Sequence, residues 1–325
     1  MTRKDFLKTA GACALGAVGT AAGASAPAAG TETGRAKVYF SPVIDSDHLN
    51  KLYDLIKDNL SGKIAIKLHT GERHGPNILP REMVKSLQAR IPESTIVETN
   101  TLYHGDRYTT EDHLKTLEIN GWTFCPVDIM DAEGTVNLPV KGGKHFKEVS
   151  MGGHIVNYDS MLVLTHFKGH AMGGFGGAIK NISIGIASSA GKAWIHSAGK
   201  TEDTEKLWSS LPAQDDFLES MAEAAKSVAD HCGEKILYIN VMNNLSVDCD
   251  CDAHPEPPRM GDIGILASLD PVALDQACVD LVYASPDEGK VHLIERMESR
   301  HGIHTLEHGE AIGLGSQQYE LVELK

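Results

Sequence analysis

The chain has 325 residues, of which 42% are hydrophobic and 23% are charged, as in ordinary globular proteins. The formal net charge of −14 disfavours nucleic-acid binding, because an acidic surface repels phosphate backbones. No apolar stretch approaches the roughly twenty residues that a membrane span needs. The length is sufficient for one large α/β domain or for two lobes with a cleft.

Residues 1–30 have the features of an export signal. Three basic residues form the positive start of this segment: Arg3, Lys4 and Lys8. A weakly apolar, Ala- and Gly-rich run follows, and small residues at 22–26 fit a cleavage site. The basic start resembles a twin-arginine export motif with lysine in its second position, and ordinary secretion is the alternative. We therefore expect a periplasmic or extracellular protein and leave this segment out of the fold.

Patterns typical of strands and helices alternate from residue 36 onwards. Strands are predicted at Ala36–Phe40, Lys63–His69, Ser94–Glu98, Phe124–Met130, Ser160–His166, Lys235–Met242, Asp262–Ala267 and Tyr319–Leu324, with a Gly-rich hairpin region at Glu133–Asn157. Helices are predicted at Asp47–Asn59 with Asp47 as its cap, after Pro80, and at Thr110–Asn120, Gln214–His231, Pro271–Tyr283 and Gly289–Arg300. The alternation predicts an α/β fold over residues 36–325, with a mostly parallel sheet flanked by helices.

Two loops that follow predicted strands carry polar groups suited to an anionic ligand. Ligands of open α/β sheets bind beyond the carboxyl ends of the strands. After the second strand, Arg73 is a candidate clamp for a phosphate or carboxylate. After the third, His104 is a candidate acid or base, and Arg107 a candidate anion-binding group. For both segments, an exposed polar loop is the alternative.

The richest segment runs from His166 to His196, directly after an apolar strand. Its glycines allow close backbone approach to a ligand; those assigned to the site are Gly173, Gly174, Gly176 and Gly177. A helix is predicted to begin near Gly177, and its amino end would favour an anion. Lys180 is a candidate partner of that anion or a nucleophile, and His166, His170 and His196 supply imidazoles for metal binding or proton transfer. The alternative is a flexible glycine loop with a surface lysine.

Cysteine usage points to a metal rather than to disulfide bonds. The five cysteines after the export segment are scattered: Cys125, Cys232, Cys249, Cys251 and Cys278. Cys249, Cys251 and His254 lie within one acidic stretch of seven residues, a combination that suits zinc or iron. The C-x-C spacing does not complete a four-ligand site, so His166, His170 or Cys278 would have to join it. A polar, partly buried loop is the alternative.

Several of these segments together resemble the domain of unknown function 362 family, over roughly residues 36–325. The resemblance rests on five motifs: the His170–Lys180 loop, Asp248–Asp252, Asp262–Ile265, Leu269–Asp275 and Gly313–Ser316. Members are often labelled iron–sulfur center proteins, and many carry a ferredoxin-like cysteine module. This chain lacks that cysteine pattern.

The spacing of His170, Lys180 and His196 is similar to that of the nickel-pincer lactate racemase family, in which a lysine follows a histidine by ten positions and precedes another by sixteen. This resemblance implies that Lys180 is covalently linked to a pincer nucleotide, that His196 ligates nickel and that His170 is an acid or base. Arg73 is similar to that family's phosphate-binding arginine, and His104 to its second catalytic histidine.

The leading hypothesis from the sequence is an exported cofactor- or metal-dependent enzyme, an oxidoreductase or racemase acting on a small hydroxy or oxo acid. Its candidate cofactors are a nickel-pincer-type nucleotide, a zinc or iron ion, or an iron–sulfur cluster. The first rival is a non-catalytic exported metal- or iron–sulfur-binding protein, and the second is an acidic ligand-binding protein without metal. The enzyme hypothesis predicts that His170, Lys180 and His196 converge on one pocket with Arg73 on its rim.

Overall fold

The computed structural model describes residues 35–91 and 93–324. The strands are β1 (Ala36–Ser41), β2 (Ile64–Lys67), β3 (Thr95–Glu98), β4 (Val127–Ile129), β5 (Thr135–Pro139), β6 (Glu148–Gly152), β7 (Ser160–His166), β8 (Lys168–His170), β9 (Gly174–Gly176), β10 (Ile236–Met242), β11 (Gly264–Ser268) and β12 (Tyr319–Glu323). The helices are α1 (Ser46–Ile56), α2 (Arg81–Ala89), α3 (Thr110–Ile119), α4 (Ala178–Ser183), α5 (Ser189–His196), α6 (Gln214–Cys232), α7 (Pro271–Ala284), α8 (Lys290–Ser299) and α9 (His304–Ala311).

An eight-stranded sheet forms the centre of the molecule, in the order β12-β1-β11-β10-β7-β2-β3-β4. All neighbouring strands pair in parallel except β11, which runs antiparallel to both β1 and β10. Two small antiparallel pairs, β5–β6 and β8–β9, lie outside this sheet. The predicted α/β class with a mostly parallel, helix-flanked sheet is confirmed.

The sheet is covered on both faces, which explains the unbroken apolar runs of its central strands. Every residue of β7 and β10 is buried. Successive residues of β7 point to opposite faces, so Leu162 and Leu164 pack in one core cluster and Met161 and Val163 in the other. The first cluster also contains buried residues of α1 and α2, and the second contains those of α6 and α7.

Several predicted boundaries were wrong, and two helices were not predicted. The side chain of Asp45 caps α1 by accepting a hydrogen bond from His48 N at 2.8 Å, so the predicted cap Asp47 lies in the first turn. The fourth strand is shorter than predicted, at Val127–Ile129. Helices α5 and α9 have eight residues each, too few turns for a clear apolar period.

The predicted export signal, residues 1–30, lies outside the described residues. Among the helices of the described part, none is both long enough and apolar enough to cross a membrane.

Candidate active site

The loops that follow β2, β3, β7 and β10 meet around a cavity of about 370 Å³ at the carboxyl ends of these strands. The loop after β2 contributes His69, and the loop after β3 contributes Tyr103 and Arg107. The loop after β10 contributes Cys251. The remaining wall comes largely from the segment between β7 and α5, which the sequence singled out as the richest in functional groups.

His170, Lys180 and His196 all line this one cavity. They are supplied by the end of β8, the first turns of α4 and the last turn of α5, respectively. Of the four glycines assigned to the site, Gly176 and Gly177 line the cavity with them. A Cβ at Gly176 would lie 3.1 Å from Lys180 Cδ, so glycine leaves room for the lysine side chain to pass.

The other two glycines support the site from outside the cavity. Gly173 N donates a hydrogen bond to His170 Nδ1 at 2.8 Å. Gly174 has a φ of +81° in the turn between β8 and β9, where an added Cβ would lie 3.0 Å from Gly302 Cα. These two glycines therefore shape the hairpin that carries His170, and neither is among the residues lining the cavity.

The amino end of α4 is closed by a carboxylate of the protein itself. Asp275, on α7, accepts hydrogen bonds from Ala178 N at 2.8 Å and from Ile179 N at 3.0 Å. A Cβ at Gly177 would overlap this carboxylate, so glycine is required there. Burial raises the pKa of Asp275 to about 6 despite these hydrogen bonds. The predicted anion site at this helix end is thus occupied by Asp275.

His170 and His196 of the cavity differ in which ring nitrogen carries the proton. Because His170 Nδ1 accepts the Gly173 N–H, its ring proton is on Nε2, which is a donor. His196 Nδ1 lies 2.7 Å from Lys192 O and must donate to it, so its Nε2 carries a free lone pair. Burial lowers the pKa of His170 well below its ordinary value and that of His196 to about 4, so both rings are neutral at pH 7.

Lys180 forms a contact with the cysteine pair of the loop after β10. Its Nζ lies 3.0 Å from Cys249 Sγ. A hydrogen bond with Cys251, together with the Lys180 ammonium, holds the pKa of the Cys249 thiol well below its ordinary value. The pKa of the Cys251 thiol is raised in turn, because it donates to Cys249 and is buried. A thiolate, a thiol and an ammonium thus lie together, and of these Lys180 and Cys251 line the cavity.

The three ligand atoms offered by His170, Cys249 and Cys251 all lie within 4.8 Å of one another. Thiolate and imidazole are preferred ligands of zinc. His254, which the sequence grouped with the cysteines, is exposed and is not part of this cluster. The C-x-C loop and the His170 segment therefore border one site rather than two.

Buried ion pairs surround the cavity. Lys168 Nζ lies 2.8 Å from Asp250 Oδ2, whose carboxylate also contacts His166 Nδ1 at 2.9 Å. His166 Nε2 donates to Asn243 O at 2.6 Å, so both of its ring nitrogens are engaged away from the cavity. These contacts hold the pKa of Asp250 below its ordinary value in spite of its burial.

A second set of ion pairs lies on the other side of the cavity. Arg107 Nε donates to Glu72 Oε1 at 3.1 Å, and Tyr103 donates to the same oxygen at 2.7 Å. Lys67 Nζ donates to Glu98 Oε2 at 2.7 Å. Burial alone would raise the pKa of Glu98, but the nearby positive charges, chiefly that of Lys67, lower it to about 2. Each of these cations thus has its own carboxylate.

Two further predicted residues lie away from the cavity lining. Arg73 pairs with Asp106, with Nη2 3.1 Å from Oδ1, and does not line the cavity. The His104 side chain is 74% exposed and lies 3.3 Å from Glu205 Oε1. Both side chains come from the expected loops, but neither lines the cavity.

Lys192 is a cavity residue that the sequence reasoning missed. It lies on α5, is 7% exposed and lines the cavity together with His196, one helical turn further on. Burial lowers the pKa of Lys192 to about 8. The i, i+4 spacing of Lys192 and His196 was a usable signal, because residues four apart share a helix face.

The chain is distantly similar to solved structures. One neighbour is the lactate racemase apoprotein from Thermoanaerobacterium thermosaccharolyticum, with 15% identity and a TM-score of 0.38, covering 64% of this chain and 51% of that one. Another is a Thermotoga maritima protein of known crystal structure, with 13% identity and a TM-score of 0.39, covering 74% of this chain and 58% of that one. This chain thus spans little more than half the length of either, and likeness at this level carries no argument about function.

None of the curated proteins matches this sequence. The family model described as Domain of unknown function (DUF362) matches residues 64–280, a range from β2 to within α7 that contains His170, Lys180, Lys192, His196 and both cysteines of the cluster. Because this match covers about two thirds of the sequence, the chain belongs to the DUF362 family.

Proposed function

We propose that the cavity is the active site of a cofactor- or metal-dependent enzyme that acts on a small hydroxy or oxo acid, as a racemase or an oxidoreductase, with proton transfer as one of its steps. The observation that carries this proposal is the pairing of His170 and His196 in one cavity. His170 Nε2 presents a proton, and His196 Nε2 presents a lone pair. General acid–base catalysis requires one group of each kind within reach of the reacting atoms.

In this proposal the two imidazoles divide the work on a bound acid. His196 Nε2 accepts the proton that leaves the α-carbon and becomes an imidazolium, while the His170 Nε2–H donates a hydrogen bond to the enolate oxygen that develops. Return of a proton from His196 to the α-carbon completes the exchange. Without a ligand in the cavity, the pKa of His196 is about 4. It rises when a carboxylate enters, because a nearby negative charge favours the imidazolium. Binding of the anion thereby strengthens the base.

The residues of the cavity fit a pincer-type nucleotide or a single metal ion better than an iron–sulfur cluster. Lys180 would anchor a nucleotide, and the sulfurs of Cys249 and Cys251 beside it would ligate a metal, which leaves the lone pair of His196 Nε2 for proton transfer. A metal held there supplies Lewis acidity toward a substrate oxygen. An iron–sulfur cluster requires four ligands, usually cysteines, whereas the only cysteines of the described residues in this cluster are Cys249 and Cys251.

Hydrogen exchange tests the proposal without advance knowledge of the product. Protein purified from its native host is incubated in D₂O with a panel of small 2-hydroxy acids, and deuterium at the α-carbon is measured by mass spectrometry. We expect exchange with at least one acid and its loss in His170→Gln and His196→Gln. His231→Gln is the matched control, since His231 is exposed at the end of α6. Exchange that survives both cavity substitutions contradicts the proposal.

A metal-binding role without catalysis is the second candidate, favoured by the His170–Cys249–Cys251 cluster. Metal occupancy requires a change at His170, because a ring that ligates through Nε2 cannot keep Nδ1 as an acceptor for Gly173 N. Elemental analysis together with intact mass separates the candidates. Zinc or iron that is lost in Cys249→Ser but kept in Cys232→Ser supports metal binding. Nickel with added mass on Lys180 supports the enzyme.

We also propose that residues 1–30 direct export to the periplasm or the extracellular space. Their basic start, small-residue run and candidate cleavage positions support this proposal. Cell fractionation of the full chain and of a chain lacking residues 2–30 provides the test. Cytoplasmic retention of the full chain contradicts it.

A further inference from the structure

Four cationic side chains of the described residues line the cavity, and three of them have an anionic partner within the protein. The three pairs are Lys168 with Asp250, Arg107 with Glu72, and Lys180 with the Cys249 thiolate. Each pair neutralises itself, so none of these cations requires a ligand to balance its charge. The fourth cation is Lys192.

Lys192 is held by neutral groups alone. Its Nζ donates to Thr99 Oγ1 and to Ala187 O, at 2.6 Å each. Within the described part of the chain, no carboxylate oxygen lies within 4.0 Å of this nitrogen. A buried charge without a counter-ion is costly, and proteins normally pair such groups. The missing counter-ion therefore points to a ligand.

The geometry of Lys192 leaves one donor for that ligand. An ammonium group has three N–H donors, and two are taken by Thr99 and Ala187. The side chain lines the cavity, and no third acceptor among the described residues is bonded to Nζ, so we infer that the remaining donor serves a ligand there. Among the other charges that act on Lys192, those of Asp131 and Glu98 attract it and those of Lys67 and Arg107 repel it, and neither carboxylate lies within ion-pair distance.

Two further anion-binding groups that the sequence suggested are also engaged elsewhere. Arg73 pairs with Asp106 outside the cavity lining. The amino end of α4 is capped by Asp275. An anion that enters the cavity therefore finds its only uncompensated positive charge, among the described residues, at Lys192.

We propose that Lys192 binds the carboxylate of the substrate, and that the cavity selects monocarboxylic 2-hydroxy or 2-oxo acids with a short apolar side chain. This inference rests on the proposed function and names the substrate class of the same site. One uncompensated cation matches one negative charge, so a second carboxylate on the substrate would be buried without a partner. The cavity also has apolar lining from Leu102, Met172, Ile184 and Trp208, which suits an alkyl group.

Isothermal titration of the full chain with three probes tests the inference. The probes are 2-hydroxy-3-methylbutanoate, its primary amide, which removes the charge at nearly constant shape, and 2-hydroxysuccinate, which adds a second carboxylate. We expect the wild-type protein to bind the monocarboxylate at least tenfold more tightly than either of the others. Lys192→Met should lose roughly 10- to 150-fold of affinity for the monocarboxylate, the range for a hydrogen bond to a charged group, and should no longer distinguish it from the amide.

Lys192→Gln is the second variant, because it keeps a hydrogen-bond donor without the charge. It should also lose the preference for the carboxylate over the amide. Lys141→Met, at an exposed lysine, should bind all three probes as the wild type does. A preference for the carboxylate that survives in folded Lys192→Met, or no carboxylate binding by the wild type at millimolar concentration, overturns the inference. Binding that depends on Lys192 without any α-hydrogen exchange overturns the proposed function alone.

Discussion

Replacing Lys192 by Met should stabilise the ligand-free protein, an unusual result for a buried residue with two short hydrogen bonds. Burial lowers the pKa of Lys192 from 10.5 to about 8, and nearby Asp131 and Glu98 recover only part of that loss. At 1.36 kcal/mol per pKa unit, the charged side chain costs the folded state about 3 kcal/mol. Methionine removes this cost and sacrifices two hydrogen bonds of about 1 kcal/mol each. The net gain at pH 7 is therefore about 1 kcal/mol.

The pH dependence of this effect is more diagnostic than its size. The pKa is lower in the folded state, so the unfolded chain binds more protons between pH 8 and pH 10.5. The cost is therefore fully present below pH 8 and disappears as the pH rises through this window. Between pH 7 and pH 10, the free energy of unfolding of the wild type should rise by roughly 2–3 kcal/mol relative to Lys192→Met.

Urea denaturation at a series of pH values, followed by circular dichroism, measures this difference. Lys141→Met is the control, and its free energy of unfolding should follow the wild type at every pH, because Lys141 is exposed. Parallel pH profiles for the wild type and Lys192→Met would refute the reasoning. They would mean that Lys192 carries its charge at no cost, which requires a counter-ion that the structure does not place beside it.

Three further predictions concern the groups around the cavity. Lys67→Met should lower the free energy of unfolding by about 3–5 kcal/mol in urea titrations, because it leaves buried Glu98 unpaired. Adding Glu98→Leu should restore much of that loss. No recovery in the double variant would contradict this prediction. In the wild type, the free energy of unfolding should fall between pH 4 and pH 6, because burial raises the pKa of Asp275 to about 6 and the folded state therefore favours its protonated form. Asp275→Asn should abolish this fall. An unchanged pH profile in the variant would count against the burial of this carboxyl group as its cause. Lys180→Met should slow the alkylation of Cys249 by iodoacetamide at pH 7, because the thiolate loses its ammonium neighbour. Intact mass measures the rate of alkylation. Equal rates in the wild type and the variant would exclude this contact in solution.

The sequence predicted the sheet well because its signals are local. Apolar runs such as Ser160–His166 mark strands covered on both faces, and the helices between them imply parallel pairing. The antiparallel insertion of β11 between β1 and β10 has no local signal, since it depends on which strands become neighbours. The export segment stays a prediction.

In the site too, features that depend on chain connectivity were easier to predict than those that depend on contacts distant in sequence. His170, Lys180 and His196 belong to one continuous segment that wraps around the end of β7, so their common cavity follows from chain connectivity. Arg73 and His104 come from the expected loops, but the direction of a loop side chain depends on partners distant in sequence, here Asp106 and Glu205.

Lys192 was missed because α5 was not predicted and because a lysine is ordinarily assigned to the surface. Only the tertiary structure shows that its charge is buried without a carboxylate partner.

The proposed function requires that one small acid contacts Lys192 and both imidazoles at once. A crystal structure of the full chain with 2-hydroxy-3-methylbutanoate tests this directly. The predicted result is a single ligand in the cavity, with its carboxylate within hydrogen-bond distance of Lys192 Nζ and its α-carbon beside His170 and His196. A ligand bound elsewhere, or one whose carboxylate points away from Lys192, would contradict it.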